Sequence, residues 1–299
     1  AIFNIAIKIH KDANQLKLSS AEICLEENYV DGILYEDQVK DTLKMLLGKD
    51  KLKIISINKY SNVKTKKKEI SRNKIAIVYA NGGINSGKGD ENSIGSITTS
   101  KAIEKARKDE KVKAIVLRIN SGGGSALASD VIWRETVLAK NEKPLVVSFG
   151  DVAASGGYYI ACAADKIFAS PTSITGSIGV FGMIPNMNEF YKSNFGITFD
   201  TVKTNNSADM GIYRKLTSFE KQKIQQGIED VYETFISRVS EGRDISTKQV
   251  DNIGQGRVWS GYDAKKIGVI DEFGGLEKAI ESAAALAEIE DYRTISLPK

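Results

Sequence analysis

The stretch KVKAIVLRINSGGGSALASDVIWRE, residues 111–135, decides the fold. Its apolar run KAIVLRIN (113–120) indicates a buried strand, and the glycines of SGGGS end that strand. The following ALASDVIWRETVLAKN (126–141) has the length and spacing of a helix. This stretch therefore predicts a strand, a glycine turn and a helix in immediate succession.

The same alternation continues on both sides of this stretch. Short apolar runs predict three more strands, at KIAIVYA (74–80), KPLVVSFG (143–150) and KIFAS (166–170). SKAIEKARKDE (100–110) has helical spacing between the first two strands. Strands that alternate with helices predict βαβ units and a mainly parallel sheet in an α/β fold.

The last third of the chain predicts mostly helix. FGITFDTV (195–202) is expected to form a strand, followed by a polar loop. SFEKQKIQQGIEDVYETFISRVSEGR (218–243) predicts one long amphipathic helix with Ser218 as its N-cap. Residues 261–289 predict a helix, a turn and a second helix.

Composition limits the classes of function. A chain of 299 residues with 41% apolar content can form one large α/β domain or two small ones. A net charge of +4 gives no case for nucleic-acid binding, and the lysines of 64–68 are interpreted as part of a solvated linker. The sequence contains no run of 18 apolar residues, so no membrane-spanning helix is predicted. Cys24 and Cys162 are too few for a structural zinc site.

A weak internal repeat predicts the domain organisation. Residues 18–48 resemble residues 259–289 at a constant offset of 240. We therefore expect residues 1–48 to be the end of a preceding homologous module and residues 49–72 to connect it to the next one. Residues 73–299 are then expected to form the second module.

Ser155 is the candidate nucleophile. It lies in AASGG, which differs from the G-x-S-x-G pattern by Ala153 in the first glycine position. A serine between a strand and a helix can present its hydroxyl to a substrate, or it can simply cap the helix. The motif alone leaves both interpretations open.

Two further small-residue loops follow predicted strands. The glycines of INSGGGSA (119–126) can bring bare N–H groups close to a ligand, as an oxyanion hole requires. A phosphate-binding turn and a plain loop are the alternatives. SITGSIGVFG (173–182) supplies a hydroxyl-rich loop. Because parallel strands end at one edge, loops 120–125, 153–157 and 175–179 are expected to meet beside an extended substrate.

GGINSGK (82–88) matches part of the phosphate-binding P-loop pattern. That motif needs Ser or Thr next and then a helix, whereas Gly89 and Asp90 follow here. The segment is interpreted as a mobile glycine-rich loop near a cleft. No cofactor is predicted.

The base that would take the Ser155 proton is not evident. The one histidine, His10, lies far from the predicted core in sequence and is interpreted as a surface residue. A lysine with a lowered pKa can serve instead. Lys166, Lys203 and Lys215 are candidates, and spacing does not choose among them.

Three blocks of sequence resemble one known family. The blocks are residues 111–135, AASGGYYIACAADKIFASPTSITGSIGVFG (153–182) and GRVWSGYDAKKIGVIDEFGG (256–275). They are similar to signal peptide peptidase A, also called protease IV, over roughly residues 73–290. The resemblance implies the Clp-protease/crotonase fold and a Ser/Lys dyad.

The resemblance also implies roles for individual residues. Ser155 matches the nucleophile, Gly123 the oxyanion-hole glycine and Ser177 the serine that helps to hold the lysine amine. Gly122 stands where the family usually has proline. Ala208 falls at the lysine position of single-module members. In long, tandem members the first module gives the lysine and the second gives the serine. Residues 1–48 resemble the end of that first module, downstream of its lysine, so the resemblance implies that the general base lies in an N-terminal module outside this chain.

For the whole protein, the resemblance implies an endopeptidase that degrades cleaved signal peptides and other apolar peptides. It further implies a tetramer, a membrane anchor upstream, and a catalytic body on the extracytoplasmic, periplasmic side of the membrane. Two alternatives stay open from the sequence. One is a non-catalytic oligomerisation or scaffold module, and the other is a crotonase-type acyl-CoA enzyme on the same fold.

Overall fold

The computed structural model describes residues 8–9, 11–15, 17, 19–52 and 73–298. His10 and the lysine-rich part of the predicted connecting segment lie outside the described residues. No helix among those described is both long enough and apolar enough to cross a bilayer.

The chain divides into two compact units. The first consists of residues 1–69 and 183–227, and the second of residues 70–182 and 228–299. The expectation that residues 1–48 end a preceding module stays a prediction.

The second unit contains the predicted sheet. Eight strands form it: β1 (Lys74–Asn81), β4 (Val112–Ser121), β5 (Leu145–Ala154), β6 (Lys166–Ala169), β7 (Ile174–Gly176), β8 (Val258–Ser260), β9 (Glu272–Phe273) and β10 (Arg293–Leu297). Two short strands pair separately: β2 (Gly83–Asn85) and β3 (Ser93–Gly95). The main path runs β10-β1-β4-β5-β6-β9, and each of these pairings is parallel. β7 adds to β5 in parallel and pairs with β8 antiparallel. The predicted mixed α/β fold with a mainly parallel sheet is therefore confirmed.

Helices cover both faces of this sheet. The helices described in the second unit are α3 (Ser96–Lys108), α4 (Ala126–Glu142), α5 (Gly156–Tyr159), the later part of α7 (Ser218–Arg243), α8 (Thr247–Ile253), α9 (Gly261–Lys266) and α10 (Leu276–Leu286). Successive side chains of a strand point to opposite faces. In β1, Ala76 and Val78 join the larger core, whereas Ile75 and Ile77 join the smaller core beneath α10. The central strands are therefore continuous apolar runs, as expected for a sheet buried on both sides.

Among its described residues, the first unit contains helical turns at 8–9 and 11–14, longer helices and irregular chain. Its longer helices are α1 (Ala21–Glu26), α2 (Glu36–Leu47) and α6 (Asn188–Phe195), and α7 begins in it. The predicted strand over 195–202 is wrong, because residues 196–202 form no regular structure. Phe199 instead packs its ring on Tyr191 and Tyr213, with centroid separations of 5.4 and 4.3 Å. Ring packing thus accounts for the apolar character that suggested a strand.

Three further expectations need correction. α7 begins at Ser218, and the cap is Thr217, whose hydroxyl accepts the Glu220 N–H at 3.2 Å. β5 continues to Ala154, beyond its predicted end at residue 150. The supposed loop 82–88 contains β2 and is tied to the triple-glycine turn, because the Ile84 N–H donates to the Gly123 carbonyl at 2.9 Å.

Candidate functional site

The ends of four parallel strands bring the three predicted loops together. Asn81 lies opposite Asn120 across β1 and β4. Ser121 lies opposite Ala153, and Ala154 lies opposite Gly176. The residues that follow β4, β5 and β7 therefore share one edge of the sheet. These residues include Gly123, Ser155 and Ser177.

The backbone of Ser155 is strained. Its φ of 51° and ψ of −122° place it in a region that favours glycine. The Ser155 N–H donates to the Gly176 carbonyl at 2.9 Å, and its carbonyl accepts the Tyr159 N–H at 2.9 Å. The neighbouring chain thus holds a conformation that an isolated serine rarely adopts. Such strain is a common feature of functional sites.

The Ser155 hydroxyl does not cap the helix that follows it. The Ser155 side chain makes no capping hydrogen bond to α5, and the residue is half-buried. Of the two interpretations that the sequence left open, the helix-cap role is therefore excluded. The hydroxyl remains available for chemistry.

Gly123 lies directly against Ser155. A Cβ added at Gly123 would be 2.9 Å from the Ser155 Cβ and 2.7 Å from the Gly156 nitrogen, and the φ of Gly123 is +101°. Only a residue without a side chain permits this approach. Gly122, where the related family usually has proline, has no heavy atom within 4 Å of an added Cβ. The departure from the family pattern therefore lies at a position that has space for a side chain.

Two backbone amides belong to glycines that adjoin Ser155. One belongs to Gly123, whose N–H donates to the buried Ser121 Oγ at 3.1 Å. The other belongs to Gly156, which follows Ser155 and whose added Cβ would lie 3.3 Å from the Gly123 Cα. Gly156 was not predicted as a site residue, although the residue after a nucleophile is a usual oxyanion donor.

Ser177 is the second hydroxyl at this edge. Its backbone is also left-handed, with a φ of 47°, and its N–H donates to the Arg257 carbonyl at 2.7 Å. The preceding Gly176 has a φ of +76°, and a Cβ there would lie 2.7 Å from the Trp259 ring. The backbone at Gly176 and Ser177 is therefore held in place by residues 257–259, at the start of β8. Ser177 itself is half-buried.

Lys166 is not the base for Ser155. It lies opposite Val146, near the start of β5, whereas Ser155 follows the end of β5. The partners of Val146 and Ala153 on the regular strand β4, Val116 and Ser121, are five residues apart, so Val146 and Ala153 are separated by about 16 Å at ~3.3 Å per residue. The Lys166 Nζ instead pairs with Glu272 at 2.9 Å.

Of the other lysines in the described part of the chain, Lys143 and Lys203 already have polar partners. Burial lowers the pKa of Lys143, but its Nζ donates to the Ala106 and Asp109 carbonyls, and it precedes β5 at the far edge of the sheet. In the first unit, the Lys203 Nζ lies 3.4 Å from an Asp209 carboxylate oxygen. Lys215 stands in the same unit, and Ala208 has no ionisable side chain.

A serine with a strained backbone, next to glycine amides at the edge of a parallel sheet, is typical of sites for nucleophilic attack on a carbonyl group. Comparison with known proteins identifies the family. The description "Peptidase family S49" matches residues 138–290. The chain is 40% identical over 278 residues to Protease 4 of Salmonella typhi, covering 91% of this chain and 44% of that protein. It is 37% identical over 283 residues to the chloroplastic serine protease SPPA of Arabidopsis thaliana, covering 91% of this chain and 42% of that protein.

The chain belongs to peptidase family S49. The resemblance to signal peptide peptidase A and protease IV is thus confirmed, and with it the Clp-protease type of fold. The chain spans less than half the length of these two relatives.

Proposed function

We propose that the protein is a serine endopeptidase in which Ser155 attacks the peptide bond and a lysine from a preceding homologous module is the base. The neutral lysine amine takes the Ser155 proton as Oγ bonds to the carbonyl carbon, which gives a tetrahedral oxyanion. The C–N bond then breaks, the lysine ammonium protonates the leaving amine, and an acyl ester remains on Ser155. Water, deprotonated by the same amine, hydrolyses this ester and restores the hydroxyl.

One observation carries this proposal. The Ser155 hydroxyl makes no capping bond, and its strained backbone sits against Gly123 and Gly156. Backbone strain at a serine whose hydroxyl does not cap the following helix is typical of functional sites. At Gly123 this approach is too close for any side chain.

The Gly123 and Gly156 amides are the proposed oxyanion donors. In the structure the Gly123 N–H donates to the Ser121 Oγ. A developing oxyanion is a stronger acceptor than a neutral hydroxyl, so we expect this N–H to turn to the substrate. Ser177, at the same sheet edge, is proposed to hold the lysine amine toward Ser155.

The internal repeat supports a preceding module. α1 begins at Ala21 and α9 at Gly261, which preserves the offset of 240. Each helix is capped by the preceding serine, whose hydroxyl oxygen accepts a backbone N–H: Ser20 accepts from Ile23 and Ser260 from Asp263. α2 and α10 begin at the same offset.

The local bonding also repeats between these segments. The Tyr29 N–H donates to the Cys24 carbonyl as the Val269 N–H donates to the Ala264 carbonyl, at 2.8 and 3.0 Å. Both turns pass through a left-handed residue, with φ of 59° at Asn28 and 80° at Gly268. Such agreement supports descent of residues 21–47 from a second copy of the module.

The two equivalent helices differ in burial. Ala279 and Ala283 of α10 are fully buried on the sheet, whereas their counterparts Val39 and Leu43 of α2 are 43% and 40% exposed. An apolar helix face of this kind normally packs on a core. The sheet of a preceding module is the partner we propose for it, and that module is the proposed source of the lysine.

The proposed substrates are cleaved signal peptides and other apolar peptides, bound in extended form. Phe181, four residues after Ser177, is 89% exposed and offers an apolar surface beyond the loop. From the resemblance we also propose a homotetramer and an anchor upstream of this chain, with the catalytic part outside the cytoplasm.

The nucleophile is tested by labelling the full-length protein with a fluorophosphonate probe. We expect Ser155→Ala to abolish both labelling and hydrolysis of an apolar fluorogenic peptide. Ser246→Ala is the matched control, because the Ser246 hydroxyl only caps α8. Labelling that survives in Ser155→Ala and maps to another serine would refute the assignment.

The origin of the base is tested separately. Lys88, in the loop between β2 and β3, is exposed, whereas a lysine base needs burial to lower its pKa. We expect Lys88→Met to react like the wild type, and residues 1–299 alone to react more slowly than the full-length protein. Equal rates for the isolated chain and the full-length protein would place the base within this chain.

A further inference from the structure

The strand that delivers Ser155 is irregular close to the site. Ile119 lies opposite Phe149, and Ser121 lies opposite Ala153. Two steps along β4 thus correspond to four steps along β5, so β5 contains two extra residues within 150–152. A bulge of this kind re-aims the chain that follows it and interrupts the ladder of backbone hydrogen bonds.

Side chains on and beside the neighbouring strands bond the backbone of this bulge and of Ala153, which directly follows it. Thr175 donates its hydroxyl to the Ala153 carbonyl at 2.7 Å. The Ser173 hydroxyl donates to the Gly150 carbonyl at 2.7 Å. On the other side, the Asn120 Oδ1 accepts the Val152 N–H at 3.2 Å.

Thr175 is the best placed of the three. Its exposed fraction is 0%, and Ser173 is also buried, whereas Asn120 is exposed. The Thr175 bond reaches the carbonyl two residues before Ser155. Thr175 is itself two residues before Ser177, so one hydroxyl ties together the segments that end in both candidate site serines.

We propose that Thr175 is a positioning residue that sets the direction of the Ser155 side chain by fixing the β5 bulge, with Ser173 as its support. This inference rests on the proposed function of Ser155. Reaction depends on the placement of the attacking atom, and a shift of about 1 Å can lower a rate by about 100-fold. Without the Thr175 hydroxyl, the buried Ala153 carbonyl loses that donor and the bulge is free to rearrange.

The test compares two valine variants in the full-length protein. Thr175→Val removes the hydroxyl and keeps the shape of the side chain. Thr136→Val is the control, because Thr136 is equally buried and donates to the Ile132 carbonyl at 3.1 Å within α4. We expect Thr175→Val to lower kcat about 10- to 100-fold with little change in KM. Thr136→Val should keep the wild-type kcat.

The conservative variant separates positioning from stability. Thr175→Ser keeps the hydroxyl and loses only a methyl group, so we expect most of kcat to return even where thermal stability does not. If Thr175→Val cannot be purified, Ser173→Ala tests the same bulge and should lower kcat in the same direction.

The possible failures are distinguishable. A wild-type protein that does not react at Ser155 would overturn the proposed function, and this inference with it. A reactive wild type, with a Thr175→Val variant that matches Thr136→Val in kcat, would overturn the inference alone. An equal loss of kcat in Thr175→Ser and Thr175→Val would also overturn it, because the hydroxyl would then have no specific role.

Discussion

Replacement of Gly123 by alanine should damage both stability and reactivity. The new methyl group would lie 2.7 Å from the Gly156 nitrogen, 2.9 Å from the Ser155 Cβ and 3.1 Å from the Ala154 carbonyl oxygen. Favourable contacts between carbon atoms are about 3.5–4.0 Å, so the Ser155 Cβ must move by roughly 0.6 Å or more. That movement displaces the proposed nucleophile directly.

The size of the effect follows from two costs. The φ of +101° at Gly123 is unfavourable for alanine, which costs about 1–3 kcal/mol. Overpacking of a tight contact costs a further ~1–3 kcal/mol. A loss of about 3 kcal/mol lowers the melting temperature of a domain of this size by roughly 6–12 °C.

Gly122→Ala is the matched control for this prediction. An added Cβ at Gly122 meets no heavy atom within 4 Å, and its φ lies outside the left-handed range. The free energy of unfolding should therefore change by less than about 0.5 kcal/mol. Thermal unfolding and fluorophosphonate labelling of the two variants are measured side by side in the full-length protein. A Gly123→Ala variant as stable and as reactive as Gly122→Ala would refute the close approach on which the site depends.

Three other measurements test the structure. Ser155→Gly should be about 1 kcal/mol more stable to urea than Ser155→Ala, because the φ of 51° suits only glycine; equal stabilities would contradict the strained backbone. The bond from Arg214 lowers the pKa of Glu220 to about 2, so its stabilising effect should be present above about pH 4 and lost as pH falls toward 2; Glu220→Gln should flatten an unfolding titration over that range, and an unchanged titration would argue against the ion pair. Burial raises the pKa of Cys162 to about 12, so at pH 8 a thiol reagent should modify the half-buried Cys24 and reach Cys162 only on unfolding.

The sheet centre was predictable because its strands are buried on both faces. A strand such as β4 is then an unbroken apolar run, which the sequence displays directly. β10 was missed because only Leu297 of its five residues is buried. A short, half-exposed edge strand has no strong pattern, and its pairing with β1 depends on contacts across more than 200 residues of sequence.

The convergence of the three loops was also predictable, since parallel strands end at one edge. The role of Thr175 was not, because a buried hydroxyl bonded to the Ala153 carbonyl leaves no local pattern in the sequence. The length of β5 was missed for a related reason. Its last residues, Gly150–Ala154, carry a bulge and small side chains that resemble a turn.

The same topology explains why a lysine close to Ser155 in sequence is not close to it in the structure. Lys166 is only 11 residues from Ser155 in the chain, and it begins the next strand. In a parallel sheet, however, a connection leaves the carboxyl end of one strand and returns to the amino end of the next. The first residues of the next strand are therefore separated from the preceding loop by the length of a strand. A lysine that serves Ser155 must therefore come from a loop at the carboxyl edge or from another part of the protein.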